Sequence, residues 1–163
     1  MTEPWLSGGH LEVDPMLRPI LFSLDQAMQD LRHWTSGISE AELWARPHGL
    51  ASLGFQIRHI AGSVDRLYSY CLAEKLSEEQ MAFLQREMEP GTNLEDLLKD
   101  VENAFEKVAH GVRIMAISTI NDHRGVGRKQ LPTTVIGLLI HIAEHTQRHV
   151  GQAIVTARVL KSS

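Results

Sequence analysis

Apolar residues recur at intervals of three and four along most of the chain, which is the spacing of one buried face of an α-helix. Four long helices are predicted, over about residues 14–37, 52–74, 92–121 and 133–160. Their predicted buried faces consist of Leu17, Ile20, Leu21, Leu24, Met28 and Leu31 in the first, Phe55, Ile60, Val64, Leu67 and Cys71 in the second, and Leu94, Leu97, Leu98, Val101, Phe105 and Val108 in the third.

Two shorter helices are indicated by a serine that precedes a glutamate or glutamine by three residues, the capping-box pattern. One begins at Ser39, and the other runs from Ser77 to about Met88 within a long connection. No segment shows the alternation expected of a strand. The pattern predicts an all-α four-helix bundle, with a long crossover between its second and third helices that carries a short extra helix. We expect one domain over residues 1–163, with residues 1–11 as an irregular lead-in.

Composition narrows the class of protein without naming a function. The 163 residues are 43% hydrophobic and 22% charged, and their formal net charge is −4. A general nucleic-acid-binding protein would normally present a basic face, so this balance argues against one. A single cysteine, Cys71, fits a reducing compartment. Neither a signal peptide nor a membrane-spanning segment is apparent, so a cytoplasmic location is expected.

Three of the nine histidines lie four residues apart in the last predicted helix, at His141, His145 and His149. Four residues turn a helix by about 400° and advance it about 6 Å, so neighbouring members of this stripe can share one metal ion. All three cannot, because the first and last begin about 12 Å apart along the axis. One adjacent pair therefore needs a further ligand from another helix.

His59 is the best third ligand by position, because it alone among the remaining histidines lies inside a long predicted helix. The others lie in irregular segments or near helix ends, at His10, His33, His48, His110 and His123. Three imidazoles without a thiolate favour zinc or nickel, with iron(II) as a third candidate. Such a set leaves coordination positions open, as catalytic zinc sites do.

Several of these features also have structural explanations. A histidine pair at this spacing arises by chance, and a lone helical histidine is usually a satisfied polar residue. His141 is a partner of His145, a supporting residue around the site, or an interior histidine bonded to a carbonyl. The basic loop from Arg124 to Lys129 could meet an anionic substrate or simply be solvated. Gln56, Ser63 and Gln152 could orient ligands or be ordinary polar residues.

Two segments resemble signatures of the DinB/YfiT-like superfamily. The sequence HTQRHVGQ at residues 145–152 is similar to the family's C-terminal pattern of two histidines followed by Gly-Gln. The sequence FQIRHIAGSVDRL at residues 55–67 is similar to its second-helix motif. The resemblance implies a four-helix bundle with His59, His145 and His149 as metal ligands. Arg148 departs from the pattern, since many relatives have histidine there.

The resemblance implies the fold more specifically than it implies the function. It implies either a metal-dependent enzyme of thiol-transferase or hydrolase type, with a low-molecular-weight thiol as a candidate partner, or a non-catalytic metal-binding stress-response module. A homodimer is also consistent with it. A third hypothesis, a plain interaction bundle, requires several imidazoles to be buried without partners, which is costly.

Overall fold

The computed structural model describes residues 2–162, and over these residues the protein is mostly helical with one small two-stranded sheet. In chain order the elements are α1 (Arg18–Thr35), α2 (Glu40–Trp44), α3 (Leu53–Cys71), α4 (Glu78–Gln85), α5 (Leu94–Ile114), β1 (His123–Val126), β2 (Leu131–Thr134) and α6 (Val135–Lys161). Short 3-10 turns lie at Pro4–Leu6, Pro47–Gly49 and Ile117–Thr119.

The four long helices share one apolar core. Helix α3 packs against α5 and α6, and α1 packs against the same two helices. The most deeply buried side chains come from all four, and they include Leu21, Leu31, Ile57, Ile60, Val64, Leu97, Val101, Leu139 and Ile142. The predicted apolar faces are confirmed, with Met28, Phe55, Leu67, Leu94 and Leu98 only partly buried. Among residues 2–162, no helix has the length and apolar content needed to cross a membrane.

Polar caps set most of the helix starts. Both predicted capping boxes are present, at Ser39 with Glu42 and at Ser77 with Gln80. Of the alternatives left open by the sequence, Asn93 caps α5 and Thr134 caps α6, since each side chain accepts a hydrogen bond from a first-turn backbone N–H. These bonds satisfy amide groups that have no partner within the helix itself.

Four predicted helix boundaries were wrong by three residues or more, at the start of α1 and at the ends of α3, α4 and α5. Helix α1 begins at Arg18 rather than at Pro15, because Pro19 has no N–H to continue a helix from the turn that follows Asp14. Helix α5 ends at Ile114 rather than near Asn121. Beyond it, the carbonyls of Ile120 and Asp122 accept hydrogen bonds from the first two residues of α6. The chain after α5 therefore satisfies the start of the next long helix.

The expectation of no strand was also wrong. Residues predicted as a basic loop form an antiparallel hairpin, in which His123 pairs with Thr134 and Val126 with Leu131. Gly127 and Gln130 lie at either end of the turn and both have positive φ. The Nε of Arg124 donates to the carbonyl of Cys71 at 2.7 Å, which anchors the hairpin to the end of α3.

Cys71 is a buried free thiol at the C-terminal end of α3. Burial raises the pKa of its thiol to about 12, although the nearby charge of Arg124 acts in the opposite direction. A thiol with such a pKa has almost no thiolate at neutral pH and is a poor nucleophile. Its role is in the packing of the core.

Candidate metal centre

Helices α3 and α6 bring together the three histidines that the sequence singled out. His59 comes from α3, and His145 and His149 come from α6. Each offers one ring nitrogen, and the three atoms lie within 4.8 Å of one another. The ring centroids are 4.4 Å apart for His59 and His149, 4.5 Å for His145 and His149, and 5.3 Å for His59 and His145. This group could hold one metal ion between the two helices.

A buried carboxylate orients the first of these rings. The Nδ1 of His59 lies 2.7 Å from Oε2 of Glu87, in the crossover just after α4. The other oxygen of Glu87 accepts a hydrogen bond from Arg66 at 2.8 Å, and the glutamate side chain is only 5% exposed. Because the carboxylate can only accept, His59 donates its Nδ1–H to it and leaves Nε2 for another partner. A carboxylate behind the far nitrogen of a histidine is the usual support of a metal-binding imidazole.

An amide orients the second ring in the same way. The Nδ1 of His149 lies 2.7 Å from Oε1 of Gln56, which is buried one helical turn before His59 on α3. Since that oxygen accepts the Nδ1–H, the Nε2 of His149 is free of this bond. Burial, followed by the charges of the neighbouring His59 and His145, lowers the pKa of His149 to about 4. Its ring is therefore neutral at neutral pH, the protonation state that a metal ligand requires.

The third ring has a buried nitrogen without a partner. Within residues 2–162, the Nδ1 of His145 is buried and makes no hydrogen bond. Burial is also the main cause that lowers the pKa of His145, with the charge of His59 second. An unsatisfied buried polar nitrogen costs about 1–3 kcal/mol. A neutral imidazole with such a nitrogen, beside two others that each keep one nitrogen available, fits a divalent ion.

His141 lies outside this three-histidine group. Its ring is 5.3 Å from that of His145, but its Nδ1 lies 2.6 Å from the Glu144 carboxylate and its side chain is 45% exposed. The interpretation of His141 as an interior histidine bonded to a carbonyl was wrong. Glu144 also pairs with Arg148, as expected for a solvated residue. The other five histidines also lie outside the group.

The histidine group opens into a cleft of about 930 Å³. Helix α3, the crossover, the hairpin and α6 all contribute to its walls, and His59, His141 and His145 lie along it. Tyr70 and Leu67 also line it, so the space beside the histidines has apolar as well as polar surface. A cleft of this size could take a small organic molecule.

Sequence reasoning found the histidines but missed Glu87 and Arg66. Glu87 follows His59 by 28 residues and stands in an acidic stretch, where only its burial distinguishes it. Arg66 follows His59 by seven residues on the same helix, so helical spacing was a usable signal for it. For Gln56, the orienting role considered from the sequence agrees with its contact to His149. Ser63 instead donates to the carbonyl of Ile60, and Gln152 is exposed.

Comparison with known proteins gives a family for this fold and site. A search of curated protein sequences finds no match for the chain. The family model of the DinB superfamily, however, matches residues 23–153, which is well over half of the chain and includes all three grouped histidines. The chain belongs to the DinB superfamily.

Proposed function

We propose that the chain is a single four-helix-bundle domain that binds a divalent metal ion through His59, His145 and His149. Its activity is that of a metal-dependent enzyme of thiol-transferase or hydrolase type. Zinc and nickel are the two preferred candidate ions, and iron(II) is the third candidate. The observation that carries this proposal is the convergence of three imidazole donors within 4.8 Å, beside a cleft of about 930 Å³.

The surrounding residues support a preorganised site. Glu87 and Gln56 fix two of the rings from behind, so both Nε2 atoms are held toward the shared position. Glu87 already accepts from both His59 and Arg66, so it positions a ligand and is not available to move a proton. When bound, the ion would supply open coordination positions at which water or a thiol loses its proton near neutral pH.

A transferase reaction needs a thiol that this protein does not provide itself. Cys71 is the chain's one cysteine, it is buried, and its pKa is raised to about 12. The sulfur nucleophile would therefore come from a low-molecular-weight thiol that enters the cleft. The need for an added thiol separates the two forms of the proposal. In the hydrolase form, water is the nucleophile instead of the thiol.

Metal analysis followed by activity assays tests the proposal. We expect protein purified with supplemented zinc or nickel to carry about one ion per chain. An electrophile panel assayed with and without added thiol should then give turnover that chelation removes. Protein without a divalent ion would contradict the proposal and its non-catalytic alternative together. Stoichiometric metal with only background turnover would favour the non-catalytic metal-binding stress-response module.

Glu87→Gln is expected to weaken metal binding by about 10- to 100-fold, because it removes the charge behind His59 while keeping an acceptor of the same shape. The variant should be measured by competition with a chromophoric chelator. Glu79→Gln is a matched control, since it makes the same change at an exposed residue of the preceding helix. Equal affinities of the two variants would show that Glu87 does not support the ligand.

A further inference from the structure

The cleft is positively charged, although the whole chain is acidic. Lys75, Arg124, Arg128 and Arg66 line it, against the single carboxylate of Glu74. Arg66 is already paired with Glu87, so three cations face one anion in a protein whose formal net charge is −4. A cleft with one sign of charge concentrates ligands of the opposite sign. The local excess of positive charge thus favours an anionic ligand.

Two of these cations have no competing partner among the residues that the structure describes. Within residues 2–162, Arg128 and Lys75 are exposed and make no hydrogen bond or ion pair. Arg124 differs, because it donates to the backbone carbonyls of Cys71 and His123 and so holds the hairpin in place. Arg128 in the hairpin turn and Lys75 in the crossover are therefore the groups available to a ligand.

The same cleft has an apolar wall. Leu67 and Tyr70 of α3 line it together with Met81 and Leu84 of α4. The last two are large apolar side chains that are 36% and 40% exposed, and they lie on a helix that buries none of its residues. Contact with an apolar ligand would remove this surface from water, which is favourable.

We infer that the cleft binds a small organic anion whose apolar body packs on α4 and whose negative group meets Arg128 and Lys75. His59 and His145 lie along the same cleft, so such a ligand would bring its reactive part to the three-histidine group. This assigns a substrate class to the proposed function and rests on it. The contact between the anion and the two cations requires no metal ion. Anion binding can therefore be tested separately from metal binding.

Matched pairs of carboxylates and amides provide the test. Phenylacetate and hexanoate, with phenylacetamide and hexanamide as neutral partners, would be titrated into ¹⁵N-labelled protein with and without zinc. We expect the carboxylates to shift the backbone amides of Leu76, Gly125 and Gly127. They should bind about three- to tenfold more tightly than the amides, which is the combined effect expected of two exposed charge contacts. Added salt should reduce this preference.

Variants locate the charge contact. The double variant Lys75→Gln/Arg128→Gln should lose the preference for the carboxylate while keeping its affinity for the amide. Arg46→Gln/Lys99→Gln removes the same charge from exposed residues outside the cleft and should keep the preference. Equal binding of acid and amide, shifts outside the cleft, or a preference that survives in the first variant would overturn the inference. If protein that binds no zinc retains the preference, the anion contact stands, while its assignment to a substrate fails together with the proposed function.

Discussion

His145→Ala is expected to abolish stoichiometric metal binding and to lower the affinity for zinc by roughly 100- to 1000-fold. Structural zinc sites with a full ligand set contribute about 10–16 kcal/mol of apparent binding free energy, so one ligand of a three-imidazole group accounts for several kcal/mol. The substitution also removes the buried Nδ1 that has no hydrogen-bond partner. Isothermal titration with zinc at neutral pH measures the loss.

His141→Ala is the matched control for this prediction, because it makes the same change one helical turn earlier in the same stripe. Its ring pairs with Glu144 and lies outside the three-histidine group. Metal affinity should stay within about threefold of wild type, a difference of less than 1 kcal/mol. An equal loss in both variants would show that the ion uses a different adjacent pair of α6. Circular dichroism of each metal-free variant separates lost ligands from lost folding.

Arg58→Met is expected to lower the free energy of unfolding by about 2–4 kcal/mol, since it leaves several acceptors of the crossover without a donor. Arg58 is 8% exposed and donates to the carbonyls of Arg86 and Glu89 and, at 2.5 Å, to the hydroxyl of Thr92. Its guanidinium also lies 4.7 Å from the ring centroid of Trp44. Methionine retains the apolar stem and removes all of these hydrogen bonds. Urea denaturation measures the difference.

Arg32→Met controls for loss of charge, because Arg32 makes only an exposed ion pair with Glu102 at 3.0 Å. Its effect should be below about 1 kcal/mol. In Arg58→Met, hydrogen exchange should also accelerate over residues 86–92, and metal affinity should fall because Glu87 belongs to the same segment. If the two variants unfold at the same urea concentration, Arg58 does not hold the crossover.

Regular spacing along one helix was sufficient to predict the long helices and to place His145 and His149 on one face of α6. The choice of this pair over His141 and His145, with His59 as third ligand, rested on the family resemblance as well as on position. The four-residue interval from His145 to His149 determines that both rings lie on one face, and helical periodicity places His59 inside α3. The hairpin was missed because its strands are four residues long, one contains Pro132 and neither alternates clearly. The hairpin is attached to the end of α3 through Arg124, a tertiary contact that the spacing of residues does not encode.

Glu87 could not be found from local pattern for a related reason. Its neighbours in the sequence include other glutamates that are exposed, and its burial arises only where the crossover meets α3. Adjacent residues of α3 make that contact, since Arg58 binds the backbone on both sides of Glu87 while His59 binds its carboxylate. The support of the candidate site is thus a product of tertiary structure.

The positions of the three histidines along the chain have a consequence for biosynthesis. His59 leaves the ribosome 86 residues before His145, which at typical elongation rates is roughly 4–17 s earlier. Glu87 is synthesised within that interval, but two of the three donors are not. The nascent chain therefore cannot capture an ion at this position. Under the proposed function, loading would therefore follow the docking of α6, and the choice of ion would depend on the metals available to the folded protein.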